Sequence, residues 1–340
     1  MTAPTISVCV PTYNGSAYLA ETLASISAQT FDDLEILIVD DGSSDDTLAI
    51  AEWFATTERR ARVVRNAERA GSSAKNANKC LDHARGEWIK FIFQDDLMAP
   101  TCLSRMLEVG RRGPLVIAWH AYWFAPDIEA RVRQYYETLP SLATELPGDY
   151  APPESFCDAV LRNWRINFIG PTSSSFMHRD CFERYGRFSP DIVSFPDLEY
   201  WMRVGSQEGL AIVPERLVTF RAHNRSVSGA LRKDANRAFA NQLDGLLVTV
   251  NLARAPQYAR LRESAQRVDP PLDAEARARA YASDLRWHAI DVRFRQRDDR
   301  PLTQWKALYA RHPLVADVVR DADAQRSLWI RAKQALKAHL

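Results

Sequence analysis

The chain has 340 residues, with 44 Lys and Arg against 43 Asp and Glu and a formal net charge of +1. At 46% apolar and 26% charged residues it lies near the globular average, which excludes collagen-like, disordered and supercharged classes. No stretch approaches about 18 consecutive apolar residues, so no segment is expected to span a membrane, and the length allows two domains or one with an extension.

Residues 1–120 alternate between short apolar runs and segments with helical spacing. Ile6–Val10 reads as a strand ended by Pro11, and Ser16–Gln29 as a helix. Glu35–Val39 is a second strand, ended by Asp40, Asp41 and Gly42. Asp45–Phe54 is helical, Arg62–Arg65 a strand, and Ser73–Ala84 a helix closing near Gly86. Trp88–Phe93 is a further strand, followed by Gln94, Asp95 and Asp96, and Leu115–Trp119 is another. Strands that are apolar throughout are buried on both faces, which requires helices above and below a mostly parallel sheet. Ligands of such sheets bind outside the carboxyl ends of the strands. Three polar clusters fall at such ends: Thr12-Tyr13-Asn14, Asp40-Asp41 and Asp95-Asp96.

Residues 120–230 read as less regular, with a helix near Pro196 and a strand over Arg216–Arg221 leading to His223. From Asn236 onward the pattern is helical, punctuated by prolines. Residues 231–340 carry 21 basic and 13 acidic residues, a net of +8, which leaves the remainder at −7. That split marks separate roles for the two parts. The five cysteines (Cys9, Cys80, Cys102, Cys157, Cys181) form no CxxC pair, so neither a disulfide framework nor a zinc site is expected. A reducing, cytoplasmic compartment fits them, and the N-terminus has no signal-peptide pattern.

The acidic pairs admit two readings each. Asp95-Asp96 suits a divalent ion held on a diphosphate, or Asp96 caps a helix starting near Pro100. Asp40 sits directly on a strand end, while Ser44 or Asp45 caps the helix that follows.

Taken in order, Pro11-Thr12-Tyr13-Asn14-Gly15, Val39-Asp40-Asp41-Gly42-Ser43-Ser44-Asp45-Asp46-Thr47 and Gly86-Glu87-Trp88-Ile89-Lys90-Phe91-Ile92-Phe93-Gln94-Asp95-Asp96 resemble family 2 glycosyltransferases. The resemblance continues through Gly170-Pro171-Thr172-Ser173-Ser174 and Phe195-Pro196-Asp197-Leu198-Glu199-Tyr200-Trp201-Met202-Arg203. It covers about residues 5–228. It implies an α/β GT-A fold, a Rossmann-like, mostly parallel sheet flanked by helices, over residues 1–229. The nucleotide-sugar half would be residues 1–120 and the acceptor half 121–229, with a basic helical extension over 230–340.

The resemblance also implies an inverting transfer from a nucleotide-sugar, UDP-linked, to a hydroxyl of a glycan or lipid-linked acceptor. Pro11, Thr12, Tyr13, Asn14, Asp40 and Asp41 would line the nucleotide site, with Tyr13 near the base and Asp40 accepting its N–H. Lys75 would neutralise the diphosphate, or be a solvated helix residue. The Asp-x-Asp metal motif of the family is altered, since Phe93 stands at its first position. Asp95 is then expected on the ribose or donor sugar. Asp96 is the expected ligand of Mn²⁺ or Mg²⁺, with His223 as a second ligand or an ordinary loop histidine. Asp197 stands where the family has its catalytic base; the competing reading is a capping box with Ser194, and Glu199 is a secondary candidate. Trp119, His120, Tyr122, Trp123 and Trp164 are candidate sugar platforms, and Phe168–Ser175 the acceptor side of the cleft.

The C-terminal third leaves three readings open: a surface for anionic lipids on the inner face of the membrane, a homo-oligomer interface, or a helical buttress. No nucleic-acid motif accompanies its charge. The altered metal motif also leaves a non-catalytic binding subunit as an alternative, and a sugar nucleotidyltransferase as a weaker one.

Overall fold

The computed structural model describes residues 3–224, 226 and 235–324. The chain divides into two compact units, residues 1–230 and 231–340. In the first, nine strands form one sheet: β1 (Ile6–Thr12), β2 (Leu34–Asp40), β3 (Ala61–Arg65), β4 (Trp88–Phe91), β5 (Leu97–Met98), β6 (Leu115–Phe124), β7 (Tyr150–Ala151), β8 (Ser175–His178) and β9 (Leu210–Ala222). Their spatial order is β3-β2-β1-β4-β8-β6-β9-β5, with β7 pairing on β9. The pairings run β1, β2, β3, β4, β6 and β9 in one direction and β5, β7 and β8 in the other. The sheet is mostly parallel, as expected.

Every residue of β1 and β2 is buried. Ile6, Val8, Val10, Ile36 and Ile38 pack with Leu19, Leu23 and Ile26 of the helix Leu19–Ser27. Helices cover both faces of such a strand, which explains a run with no polar alternation.

Pro11 does not end β1. Its neighbour Cys9 points toward β4, accepting from Ile92, and Thr12 toward β2, accepting from Asp41. Pro11 therefore faces the β4 side, where the ladder has already stopped at Cys9 and Phe91, so its missing N–H leaves no gap. β6 and β9 are far longer than the apolar runs suggested, because their second halves pair with each other through a bulge at Trp119. The position separating the two expected halves, residue 120, lies inside β6, and both halves share the single sheet.

The second unit is helical: Ala235–Arg254, Ala259–Arg267, Ala274–Gln296 and Arg300–Arg311. Its basic residues are interleaved with acids, as in Arg254 with Glu275 and Asp321, Arg286 with Asp323, and Arg293 with Asp299. Among the described residues no helix is long and apolar enough to cross a membrane. The five cysteines are free and buried.

Glu35, buried on β2, accepts from the Ser7 hydroxyl at 2.6 Å, from the Arg85 backbone N–H at 2.7 Å and from the Arg85 and Arg62 side chains. Burial opposes its ionisation, yet these donors hold the carboxyl below the usual glutamate range. Replacing it with alanine takes the acceptor from the Ser7 hydroxyl hydrogen and from the Arg85 side chain, while the Arg85 N–H keeps the Ser7 oxygen at 3.1 Å. Glu35→Ala should lose about 2 kcal/mol in denaturant melts at pH 7. A depressed folded pKa stabilises above the unfolded value and stops doing so as pH falls through the folded one, so the deficit should shrink in acid.

Candidate active site

The carboxyl ends of β1, β2, β4 and β9 lie on the same edge of the sheet, with polar residues immediately beyond β1, β2 and β9 and, after Ile92 and Phe93, beyond β4. On β1 and β2 the polar groups fasten one another. Asn14 adopts a left-handed φ of 47°, which asparagine tolerates. Its side-chain oxygen accepts from the Ser44 N–H at 2.8 Å, and its own N–H donates to the Ser43 hydroxyl at 2.9 Å. The Asp40 carboxylate accepts from the N–H groups of Gly42 and Ser43 and from the hydroxyls of Ser43 and Thr12. Asp40, expected to receive a hydrogen bond from a base, thus already has four donors, three from its own loop and one from Thr12 on β1. Asp41 turns the other way, accepting from Asn66, from the Ala70 N–H at 2.5 Å and from the Gly71 N–H at 2.9 Å. Tyr13 stays 36% exposed, with the Arg69 guanidinium 3.9 Å above its ring. Lys75 is exposed on the first turn of the helix Ser73–His83.

Beyond β4 the two aspartates have different surroundings. Asp96, only 2% exposed, accepts from the Ser173 hydroxyl at 2.5 Å and from the Arg221 N–H at 3.0 Å. Burial and the neighbouring Asp95 charge push its carboxyl up to about 8. This inward, engaged carboxyl differs from the setting expected of a metal ligand, and it caps no helix: the following helix is Cys102–Val109. Asp95 is the more exposed of the pair, and its Oδ2 lies 2.9 Å from His223 Nε2. The imidazole rests on the Tyr18 ring at 4.6 Å, and its Nδ1 is buried with no partner among the described residues. Of the motif carrying His223, Arg225, Val227 and Ser228 lie outside the described residues.

A carboxylate oxygen beside an imidazole nitrogen fits Mn²⁺ or Mg²⁺ when phosphate oxygens and water complete the shell. No group of three or more metal-ligating side chains occurs among the described residues, so the donor set suits a cation shared with a diphosphate rather than a closed protein cage.

Asp197 occupies the first turn of the helix Pro196–Glu208, which begins after Phe195 with no side-chain cap; the Ser194 capping box is not formed there. Asp197 Oδ1 accepts from the Leu198 N–H at 2.8 Å and Oδ2 from the Asn167 amide at 3.2 Å. Burial outweighs these hydrogen bonds and raises the carboxyl to about 6. Glu199 instead forms a bidentate, buried ion pair with Arg203, which binds the carbonyls of Tyr185 and Arg187. It is a fastener of its helix. Of the candidate platforms, Trp123 is 41% exposed and edge-on to Tyr18, whereas Tyr122 packs among Phe124, Tyr136 and Phe220.

Residues 7–184, more than half of the chain, match the family described as glycosyl transferase family 2. The chain belongs to that family. An uncharacterized protein of Mycobacterium tuberculosis, MT1568, is 32% identical over 63% of this chain and 66% of its own length. The putative glycosyltransferase EpsH of Bacillus subtilis is 36% identical over 41% of each. This chain therefore spans less than two thirds of either relative. Among solved structures, S. aureus TarS in complex with UDP-GlcNAc superposes with a TM-score of 0.55 at 16% identity, covering 94% of this chain and 83% of that one. The mannosyltransferase PcManGT from Pyrobaculum calidifontis, in complex with GDP-Man and Mn²⁺, gives 0.52 at 18%, covering 97% and 88%. These likenesses establish the GT-A fold.

Four residues beside these strand ends have contacts that the sequence did not reveal. Gln94 brackets Tyr13, accepting from its N–H at 2.8 Å and donating to its carbonyl at 3.0 Å. A Cβ at Gly15 would sit 2.3 Å from the Gln94 amide, so a side chain there would displace it from Tyr13. Asn76 donates to the carbonyls of Thr12 and Val39, tying β1 to β2. Lys90, completely buried on β4, donates to the carbonyls of Ser173 and Ser175, and burial lowers its pKa. A polar residue inside an apolar strand was the available signal for Lys90.

Asp41→Ala should release the 66–71 loop without unfolding the sheet. Hydrogen exchange at Ala70 and Gly71 should accelerate about tenfold or more while the amides of β1 stay protected.

Proposed function

We propose that this chain is an inverting glycosyltransferase that moves a sugar from a UDP-linked donor to a hydroxyl of a glycan or lipid-linked acceptor, with Asp197 as general base. The supporting observation is the gathering of donors and carboxylates at one sheet edge, with a raised-pKa aspartate on the helix bordering the same loop system. Bound donors in the neighbours agree, UDP-GlcNAc with TarS and GDP-Man with PcManGT. A relative from Campylobacter jejuni, 34% identical over 32% of this chain, is named a GalNAc(5)-diNAcBac-PP-undecaprenol beta-1,3-glucosyltransferase, which motivates the lipid-linked acceptor. Such an acceptor places the enzyme at the cytoplasmic face of a membrane.

In this reading Pro11, Thr12, Tyr13, Asn14, Asp40 and Asp41 build the nucleoside pocket, with Tyr13 the exposed ring against which a base stacks. Lys75 faces the diphosphate from the helix Ser73–His83. Asp95 and His223 would hold the cation, and Asp96 anchors the loop behind them. When bound, a divalent ion there offsets the negative charge of the departing nucleoside diphosphate. Asp197 receives the acceptor proton: each carboxylate oxygen carries two lone pairs, so Oδ2 accepts the Asn167 amide and still takes the proton.

A base must be ionised to act, and burial raises Asp197 to about 6, so donor turnover should climb as pH rises through about 6. Asp197→Asn should cut turnover by about two orders of magnitude and leave UDP affinity intact by calorimetry. Unchanged turnover removes Asp197 from the role. Asp95→Ala should abolish the gain in UDP affinity that Mn²⁺ confers, and an unaltered gain would move the cation elsewhere. UDP binding with neither hydrolysis nor transfer from any UDP- or GDP-sugar would favour the binding-subunit alternative.

A further inference from the structure

We propose that Asn167 is a positioning residue that fixes Asp197 relative to the donor side of the site through the loop Asn167–Ser175. The inference rests on the reading of Asp197 as the base. Asn167 makes three bonds with its one side chain. Its amide nitrogen donates to Asp197 Oδ2 at 3.2 Å and to the Gly170 carbonyl at 3.0 Å, and its oxygen accepts from the Gly170 N–H at 3.1 Å. Both hydrogens of the amide and its acceptor are therefore committed, which leaves the side chain one orientation.

The other end of this clamp is equally constrained. Gly170 has a φ of 127°, and a Cβ there would meet His120 Nδ1 at 3.0 Å, so only glycine accepts the conformation and the contact. The Gly170 carbonyl also accepts from Trp201 Nε1 at 3.3 Å, one turn along the helix that carries Asp197. Three residues beyond, the Ser173 hydroxyl holds Asp96 and accepts from the Phe93 N–H, and Lys90 grips the Ser173 and Ser175 carbonyls. One short segment thus binds the helix of the base at its start and the tip of β4 at its end. The carboxylate that takes the proton and the acids beside the donor are held at a set separation, as attack on one carbon from the face opposite the leaving group requires.

The remaining groups about Asp197 leave this role to Asn167. Its own N–H and that of Leu198 belong to the helix start, Arg165 lies over the Phe195 ring, and His120, held neutral by burial and Arg216, faces Gly170. The Asn167 amide is the side-chain donor given to the carboxylate.

The test measures hydrolysis of a UDP-sugar panel against pH for wild type, Asn167→Ala and Asn167→Asp, with ¹³C-carboxyl NMR titration of aspartate and thermal melts on the same samples. Asn167→Ala should lower kcat by about 10- to 100-fold with donor KM unchanged. Its acid limb and the Asp197 carboxyl titration should both move to higher pH, because a hydrogen bond to the charged form is lost. Asn167→Asp, the same size, should move them further, since a second carboxylate opposes ionisation. A purely structural side chain would lower the melting temperature and leave the limb and the titration where they are. If Asp197→Asn abolishes turnover while both Asn167 variants keep the wild-type kcat and limb, the positioning proposal is overturned and the base stands. If Asp197→Asn retains turnover, the base itself falls. Should Asn167→Ala not fold, the isosteric Asn167→Asp and the NMR titration decide alone.

Discussion

Carboxylates crowded at the end of a buried sheet repel one another and resist dehydration, and the surrounding loops of this protein are arranged to answer that repulsion. Asp40 is met by two backbone N–H groups and two hydroxyls, and Asp41 by the Asn66 side chain and two backbone N–H groups. Asp96 is met by Ser173 and the Arg221 backbone. Apart from Gly42 and Ser43, which lie in Asp40's own loop, each donor comes from a different loop or strand and is also a crosslink. Electrostatic compensation and rigidity at this edge are one property.

The same arrangement separates fasteners from working groups. An acid that is buried among its donors shapes a loop; one that remains in part exposed can meet a ligand. Asp40, Asp41, Asp96 and Glu199 lie toward the first kind, Asp95 and Asp197 toward the second. Lys90 extends the logic beneath the surface, its buried ammonium bonding carbonyls of the segment on which Ser173 sits. Removing a charge from such a place leaves a hole in the support rather than in the pocket.

Much of this was legible in the amino-acid order. Period-free apolar runs such as Ile36–Val39 give buried parallel strands, and the polar residues closing them mark the ligand edge. The order of motifs points to the family, and Thr12, Asp40, Asp95 and His223 do stand at one edge. Less legible were contacts between loops distant in sequence: Gln94 with Tyr13, Asn167 with Asp197, Ser173 with Asp96. Each joins residues 30 to 81 positions apart, and no local periodicity encodes them. The orientation of adjacent aspartates was hidden for a related reason, since Asp95 and Asp96 differ only in what the fold brings against them. The length of β6 and β9 was hidden too, because the outer half of β6 is partly exposed and Pro214-Glu215-Arg216 interrupts the two apolar stretches of β9.

In the proposed reaction a single ligand meets all of these strand ends at once. Backbone amide shifts followed by NMR during a UDP titration in the presence of Mn²⁺ test that most directly. Tyr13, Ser43, Asp95 and His223 should move together along one binding curve, with Asn167 and Leu198 responding when the sugar is attached. Perturbations confined to another face, or separate curves for these amides, would contradict it.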